Sequence, residues 1–225
     1  MNNALREAWT TIVRPDDYET HMATIGQAQA NAKLVEEYFA NAPLNAGDSI
    51  LVMGAGTGQM FNFVSHEFLL PYQTTFSDIN AAYLKWLSER LKNAENLRFE
   101  TVVDDVEQSQ LTKTFSLVLA VLVLEHVDWR KAVATLCRLS GNAVFVVIQE
   151  NPPNLPGAYT PNRPGTMKIF AEVHPTLIPS AQLEAEFNSH AFRKNYAAER
   201  TVADGKKMIA LGFARTLTDK TSTQG

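Results

Sequence analysis

The segment Gly54-Ala55-Gly56-Thr57-Gly58 follows directly on the apolar run Ile50-Leu51-Val52-Met53. Alternating glycines make a tight turn whose backbone can approach a ligand closely. Where a helix starts from such a turn, its unpaired N–H groups and positive dipole end suit a carboxylate or a phosphate. Dinucleotide sites use G-x-G-x-x-G, but here Gln59 holds the sixth place. Asp78 stands 20 residues after Gly58. An acid there, at the end of the next strand, accepts hydrogen bonds from both hydroxyls of a ribose. The alternative role for Asp78 is to cap the helix that follows. Further on lie Asp104-Asp105-Val106 and Glu125-His126. Of the five histidines, His66 and His190 fall on helices remote from the glycine turn, and no pair has metal-ligand spacing. His21, His126 and His174 remain as groups able to take a proton near neutral pH.

Alternating strands and helices must position these residues. Apolar runs predict strands at about 49–54, 74–78, 97–103, 115–121 and 143–148. A helix carrying Met60, Phe61, Phe63 and Val64 is expected after the first. Another, with Leu84, Leu87 and Leu91 at helical spacing, follows the second. A third starts at Trp129, with Asp128 as its N-cap, Cys137 on its buried stripe and Gly141 just past its end. This pattern predicts βαβ units and a parallel sheet covered on both faces. A last helix from Ser180 leads into two strands, about 192–201 and 207–214, joined at Asp204-Gly205 as an antiparallel hairpin.

The chain of 225 residues reads as a single α/β domain, 1–225. Residues 1–15 read as a loose arm, 16–40 as a helical cap broken near Gly26, and 216–225 as a frayed tail. Seven of the ten prolines fall between Pro152 and Pro179, so residues 151–179 read as a lid loop with one short element at Met167–Glu172. Net charge is −4 with scattered Lys and Arg, which argues against a nucleic-acid partner. The longest apolar stretch is too short to span a bilayer, and the amino terminus lacks a signal-peptide layout. A cytoplasmic location is expected, as a monomer or homodimer.

The ordered set of glycine turn, Asp78, Asp105-Val106 and the strand 4 segment FSLVLAVLVLEHV resembles the class I S-adenosylmethionine-dependent methyltransferases of the small-molecule type, from about Tyr18 to Phe213. The resemblance implies a Rossmann-like, doubly wound, seven-stranded sheet with an antiparallel C-terminal strand. It implies S-adenosyl-L-methionine as cofactor, held by Gly54, Ala55, Gly56, Thr57, Gly58, Asp78, Ile79, Asp105, Val106 and the backbone near Ala120. A small-molecule acceptor is implied, with Tyr18, His21, Tyr159 and His174 as contacts, and His174 and His126 as catalytic candidates. Two positions depart from the family: Val52 replaces an acid two residues before the first glycine, and Ser116 replaces the aspartate of F-D-L-V. The segment Asn151-Pro152-Pro153-Asn154 resembles a motif of amino-group methyltransferases but falls after strand 5, so it reads as the start of the lid. A cofactor-sensing protein without turnover, or a protein methyltransferase, remain alternatives.

Overall fold

A computed structural model describes residues 3–152, 163–203 and 205–216. The sheet strands are β1 (Ser49–Met53), β2 (Gln73–Asp78), β3 (Phe99–Val103), β4 (Phe115–Val121), β5 (Ser140–Glu150), β6 (Phe192–Thr201) and β7 (Lys207–Arg215). The helices are α1 (Asn3–Glu7), α2 (Pro15–Ile25), α3 (Gln27–Phe39), α4 (Ala81–Leu91), α5 (Trp129–Leu139) and α6 (Ser180–Ser189). The seven strands run in the order β3-β2-β1-β4-β5-β7-β6. The first five are parallel, and β7 pairs antiparallel with both β5 and β6. This is the doubly wound sheet expected from the alternation of apolar runs and helical stripes. Ser116 takes up a local bond in place of an aspartate, its hydroxyl donating to Asp48 at 3.0 Å.

Alternation along β1 divides the core. Leu51 and Met53 join the α5 and α6 side, with Val133, Leu136, Leu183 and Phe187. Ile50 and Val52 join the α3 and α4 side, with Leu34, Val35, Leu84 and Leu87. Burial of both sheet faces makes the apolar runs nearly continuous. The consequence for function is geometric: the ends of β1, β2, β4 and β5 open together at one edge.

Two local expectations are corrected. Residues 3–12 are not a loose arm; α1 runs on into a π-helical turn, Ala8–Ile12. Leu5, Ala8 and Val13 are buried against Tyr83, Met167 and Phe170, and their spacing forms a short helical stripe. No α-helix follows the glycine turn. Two 3-10 turns, Gln59–Asn62 and His66–Leu69, stand there. Phe, Asn and Ser are weak helix formers, and the Ser65 side chain accepts the Glu67 N–H, diverting the backbone. Gly141 lies just past the end of α5, as expected, and Ser140 already begins β5. The freed carbonyls of Cys137 and Ser140 instead accept the Arg215 guanidinium at 2.7 and 2.6 Å. The part of the lid described from residue 163 carries the expected short element and is tied to α2. Its 3-10 element Gly165–Ala171 bonds to α2 through Thr166, whose N–H and hydroxyl both donate to Asp17 at 2.8 and 2.6 Å.

The break at Gly26 occurs as expected, with φ of 69° between α2 and α3. The closing hairpin is present, its Gly205 N–H donating to Val202 at 2.9 Å; Asp204 lies outside the described residues, as does the tail beyond Thr216.

Candidate active site

The glycine turn closes over the strand edge by local bonds. Gly54, Gly56 and Gly58 all have φ between 58° and 70°, a region that penalises any side chain. A Cβ on Gly54 would stand 2.3 Å from Val123, so the turn and the segment after β4 touch only because Gly54 has no side chain. The Ala55 N–H bonds to the Ser77 carbonyl at 2.8 Å, tying the turn to β2.

Asp78 completes the turn. One carboxylate oxygen accepts the Gly56 N–H and the other accepts the Asn80 N–H, each at 2.9 Å. Burial pushes its pKa up to about 6, against the pull of the Asn80, Gly56 and Ile79 N–H groups. The cap of α4 is Asn80, whose side chain accepts the Ala82 N–H at 2.9 Å. That leaves Asp78, and Ile79 beside it, facing the cavity described next.

A cavity of about 240 Å³ runs along the strand edge, lined by the whole turn from Gly54 to Gly58, by Asp78 and Ile79, and by Asp105 and Val106. Asp105 pairs with Arg6 of α1 and accepts the Glu107 N–H at 2.9 Å. Its neighbour Asp104 also lines the cavity and keeps Oδ2 buried without a hydrogen-bond partner. Ala120 is fully buried within the sheet, in register with Met53 and Val146, and does not line the cavity. The wall there is Val121, Leu122 and Val123. Leu122 has a φ of 54°, a strained value for leucine.

Tyr18, His21 and His126 also line the cavity. Tyr18 stacks on Tyr83 with ring centroids 5.5 Å apart. His126 meets Trp9 edge-on at 4.8 Å, and its Nδ1 is buried without a partner. Burial, then the nearby Arg163 charge, holds both His21 and His126 at a pKa of about 4, so both are neutral at pH 7. His174 is corrected: it is exposed and off the cavity, while Pro175 and Leu177 beside it form part of the wall. In this loop Pro175 and Leu177 turn inward and His174 outward. Tyr159 lies outside the described residues.

Other lining residues carry no local sequence signal. Trp9 and Arg6 come from the amino-terminal helical stripe, and Phe170 from the lid. Glu19 of α2 braces the turn from behind: its carboxylate accepts the Thr57 hydroxyl and Arg90 at 2.9 Å, and its carbonyl accepts Gln59. Asn31 of α3 presents a buried Oδ1 without a partner. The Asp78 carboxylate, though it already accepts two N–H groups, keeps lone pairs for O–H donors of a ligand. Among the described residues, no three His, Cys, Asp or Glu side chains gather to hold a metal ion.

Residues 50–141 match the methyltransferase domain family. The chain has the fold of the class I methyltransferases. Its sheet order and antiparallel closing strands are those of that fold. Solved structures of methyltransferases resemble it at low identity. The magnesium protoporphyrin IX methyltransferase of Synechocystis PCC 6803, bound to S-adenosylhomocysteine, is 15% identical, with a TM-score of 0.66 over 85% of this chain and 84% of that one. The N-methyltransferase NodS of Bradyrhizobium japonicum WM9, also with S-adenosylhomocysteine, is 10% identical, with a TM-score of 0.58 over 83% and 86%. The geranyl diphosphate C-methyltransferase of Streptomyces coelicolor A3(2) is 10% identical, with a TM-score of 0.62 over 82% and 78%. A search of curated proteins finds no match. Among the described residues, no helix is long and apolar enough to cross a membrane.

Proposed function

We propose that this protein transfers a methyl group from S-adenosyl-L-methionine to a small-molecule acceptor. One observation carries the reading: the glycine turn and Asp78 share a single cavity with an aromatic chamber of Trp9, Tyr18, Tyr83 and Phe170. The first part suits an adenosyl group, and the second suits an acceptor screened from water.

The cofactor supplies the chemistry, an electrophilic methyl on a sulfonium. The chain supplies position and surroundings. Asp78 would accept both ribose hydroxyls, while the turn from Gly54 to Gly58 gives close backbone approach. Asp105 and Val106 would meet the adenine end. The aromatic walls exclude water and hold the acceptor in line, and such positioning is worth ~7–11 kcal/mol. His126 and His21 are neutral imidazoles that can accept a hydrogen bond from the acceptor, with Tyr18 as a further contact. The chamber is walled by α1, α2 and the described residues from 163 onward, which favours a small acceptor over a folded protein or nucleic acid. A cytoplasmic location, as a monomer or homodimer, fits this chemistry.

At 100-fold excess over Kd, S-adenosylmethionine should stabilise the protein by ~2.7 kcal/mol. That corresponds to a rise of roughly 5–10 °C in Tm for a domain of this size. Labelled cofactor incubated with a panel of small amines, hydroxyl compounds and thiols then reports transfer. A shift with NADH and none with either adenosyl ligand would overturn the cofactor assignment.

A further inference from the structure

Arg163 enters the cavity wall from the lid. It directly precedes Pro164, and a residue before proline is biased to extended backbone. Pro164 leads into the 3-10 element Gly165–Ala171. Thr166 anchors that element twice: it donates to Asp17 of α2, and its hydroxyl accepts the Arg14 N–H at 3.0 Å. These anchors fix where the Arg163 side chain starts. Its guanidinium lies over the Phe170 ring, 5.6 Å from the centre. Its charge also reaches His21 and His126, which line the same cavity and stay neutral at pH 7. His21 of α2, His126 after β4 and Phe170 of the lid thus place this cation at the aromatic end of the cavity.

The charges of the wall are unevenly spread. Asp78 ends β2, and Asp104 and Asp105 follow β3. Glu125 is the remaining acid of the described wall. Its Oε1 accepts the Gln149 N–H at 2.6 Å, and its Oε2 is sealed from the open space. Gln149 is uncharged, and the Gln27 amide of α3 donates to it at 2.6 Å. Beside Arg163, Trp9 and Phe170 stand 4.9 Å apart, with Met167 packed against them. An aromatic pocket by itself suits a cation. In this one a guanidinium already covers Phe170, and a second cation beside it would be repelled. A planar carboxylate would be attracted, and it matches the guanidinium fork with two parallel bonds. A phosphate would bring a second negative charge. Among the described residues of the wall, the other cation is Arg6, which is committed to Asp105.

On the reading that this cavity transfers methyl groups, we propose that the acceptor is a flat, apolar molecule bearing a carboxylate, gripped by Arg163 and laid against Trp9 and Phe170. The carboxylate fixes the orientation of the molecule in the chamber. Neutral and cationic compounds of the same shape are discriminated against, because they leave the guanidinium without a charged partner in a pocket poor in water.

The test is calorimetry on the full chain saturated with S-adenosylhomocysteine, using matched probes: benzoate and cinnamate, their primary amides, and benzylamine. Each carboxylate should bind about tenfold or more tightly than its amide, and benzylamine should not displace it. Arg163→Gln should weaken the carboxylates by roughly 10- to 100-fold and the amides little. The variant should keep wild-type affinity for S-adenosylhomocysteine and a cooperative melt. Arg163→Lys keeps the charge and loses the fork, so it should fall between the two, and it carries the comparison if the glutamine variant does not fold. An arginine with a structural role alone would shift carboxylates and amides by the same factor. That result, a wild type that binds neither carboxylate, amides that bind as tightly, displacement by benzylamine, a preference that survives in Arg163→Gln, or loss of S-adenosylhomocysteine binding in that variant would each overturn the proposal. Failure of the wild type to bind S-adenosylhomocysteine would instead remove the cofactor reading on which it rests.

Discussion

Replacing Asp78 with Asn keeps the side-chain shape and removes its charge, and the proposed site makes the two consequences opposite in sign. The native carboxylate holds the Gly56 and Asn80 N–H groups with separate oxygens. Asn keeps one such acceptor and turns its amide toward the other donor. On the ligand side, the charged partner of two ribose hydroxyls disappears, at a cost of ~2–3 kcal/mol. Affinity for S-adenosylhomocysteine should fall roughly 30- to 150-fold. On the stability side, burial has moved this acid up to about 6, so holding it ionised at pH 7 costs the fold about 3 kcal/mol. For an acid raised on folding, the unfolded chain loses its proton first. The cost is absent below about pH 4, grows as pH rises toward the folded value, and is complete above it. D78N removes that cost and loses about 1 kcal/mol of N–H bonding. The free protein should therefore melt a few degrees higher at pH 8 while binding collapses. The wild type should also lose affinity for S-adenosylhomocysteine by about tenfold per pH unit below about 6, as the carboxyl must shed a proton to bind, whereas D78N should be flat there. Calorimetry and thermal melts from about pH 5 to 8 read all three. An affinity within threefold of wild type, or an unchanged pH profile, would refute the ribose role and leave Asp78 as a brace for the turn.

Other perturbations follow from the same geometry. Glu19→Gln should lower Tm by a few degrees and weaken cofactor binding several-fold. Arg90 then loses its carboxylate and Thr57 its brace, a loss of about 1–2 kcal/mol; unchanged melting and binding would show that the brace is idle. Gly54→Ala should abolish measurable binding, because its Cβ meets Val123 at 2.3 Å and alanine at this φ costs a further ~1–2 kcal/mol. Adding Val123→Ala should restore only the steric part, and full recovery would contradict the backbone argument. His174→Ala should bind cofactor and transfer methyl groups as wild type does, since the side chain is exposed and off the cavity. His126→Ala should lose transfer, and the reverse ranking of these two in a labelled-methyl assay would return the lid histidine to the site.

What the sequence disclosed is what depends on near neighbours. The apolar run into Gly54, the alternation of strands and stripes, Asp128 and the closing hairpin each rest on a few adjacent residues. Asp78 and Asp105 were legible because strand ends place them without reference to distant contacts. Glu19, Asn31 and Gln149 were not, because their roles exist only after α2 and α3 fold back over the sheet. The helix expected after β1 failed for a related reason: Met60, Phe61 and Val64 pack inward from 3-10 turns, and periodicity in so short a segment does not separate the two. His174 was misplaced because a loop has no period from which inward and outward residues can be told. The amino-terminal stripe through Leu5, Ala8 and Val13 was readable, yet its value as a cavity wall depended on Tyr83 and Phe170, far along the chain.

The missing helix after the glycine turn carries a consequence for ligand choice. A turn of this kind attracts phosphate when a full helix stands behind it with its amides free. Here only a 3-10 turn follows, and the Gly56 amide already faces the Asp78 carboxylate. A ligand bearing a pyrophosphate would shed its hydration at this spot, meet a like charge and find no dipole in return. An adenosyl group joined to an amino acid through sulfur brings one carboxylate, balanced by its own ammonium, and needs less of such a return. On the proposed reading, discrimination against dinucleotides would require no clash and no dedicated residue, only a pocket that offers a pyrophosphate no solvation.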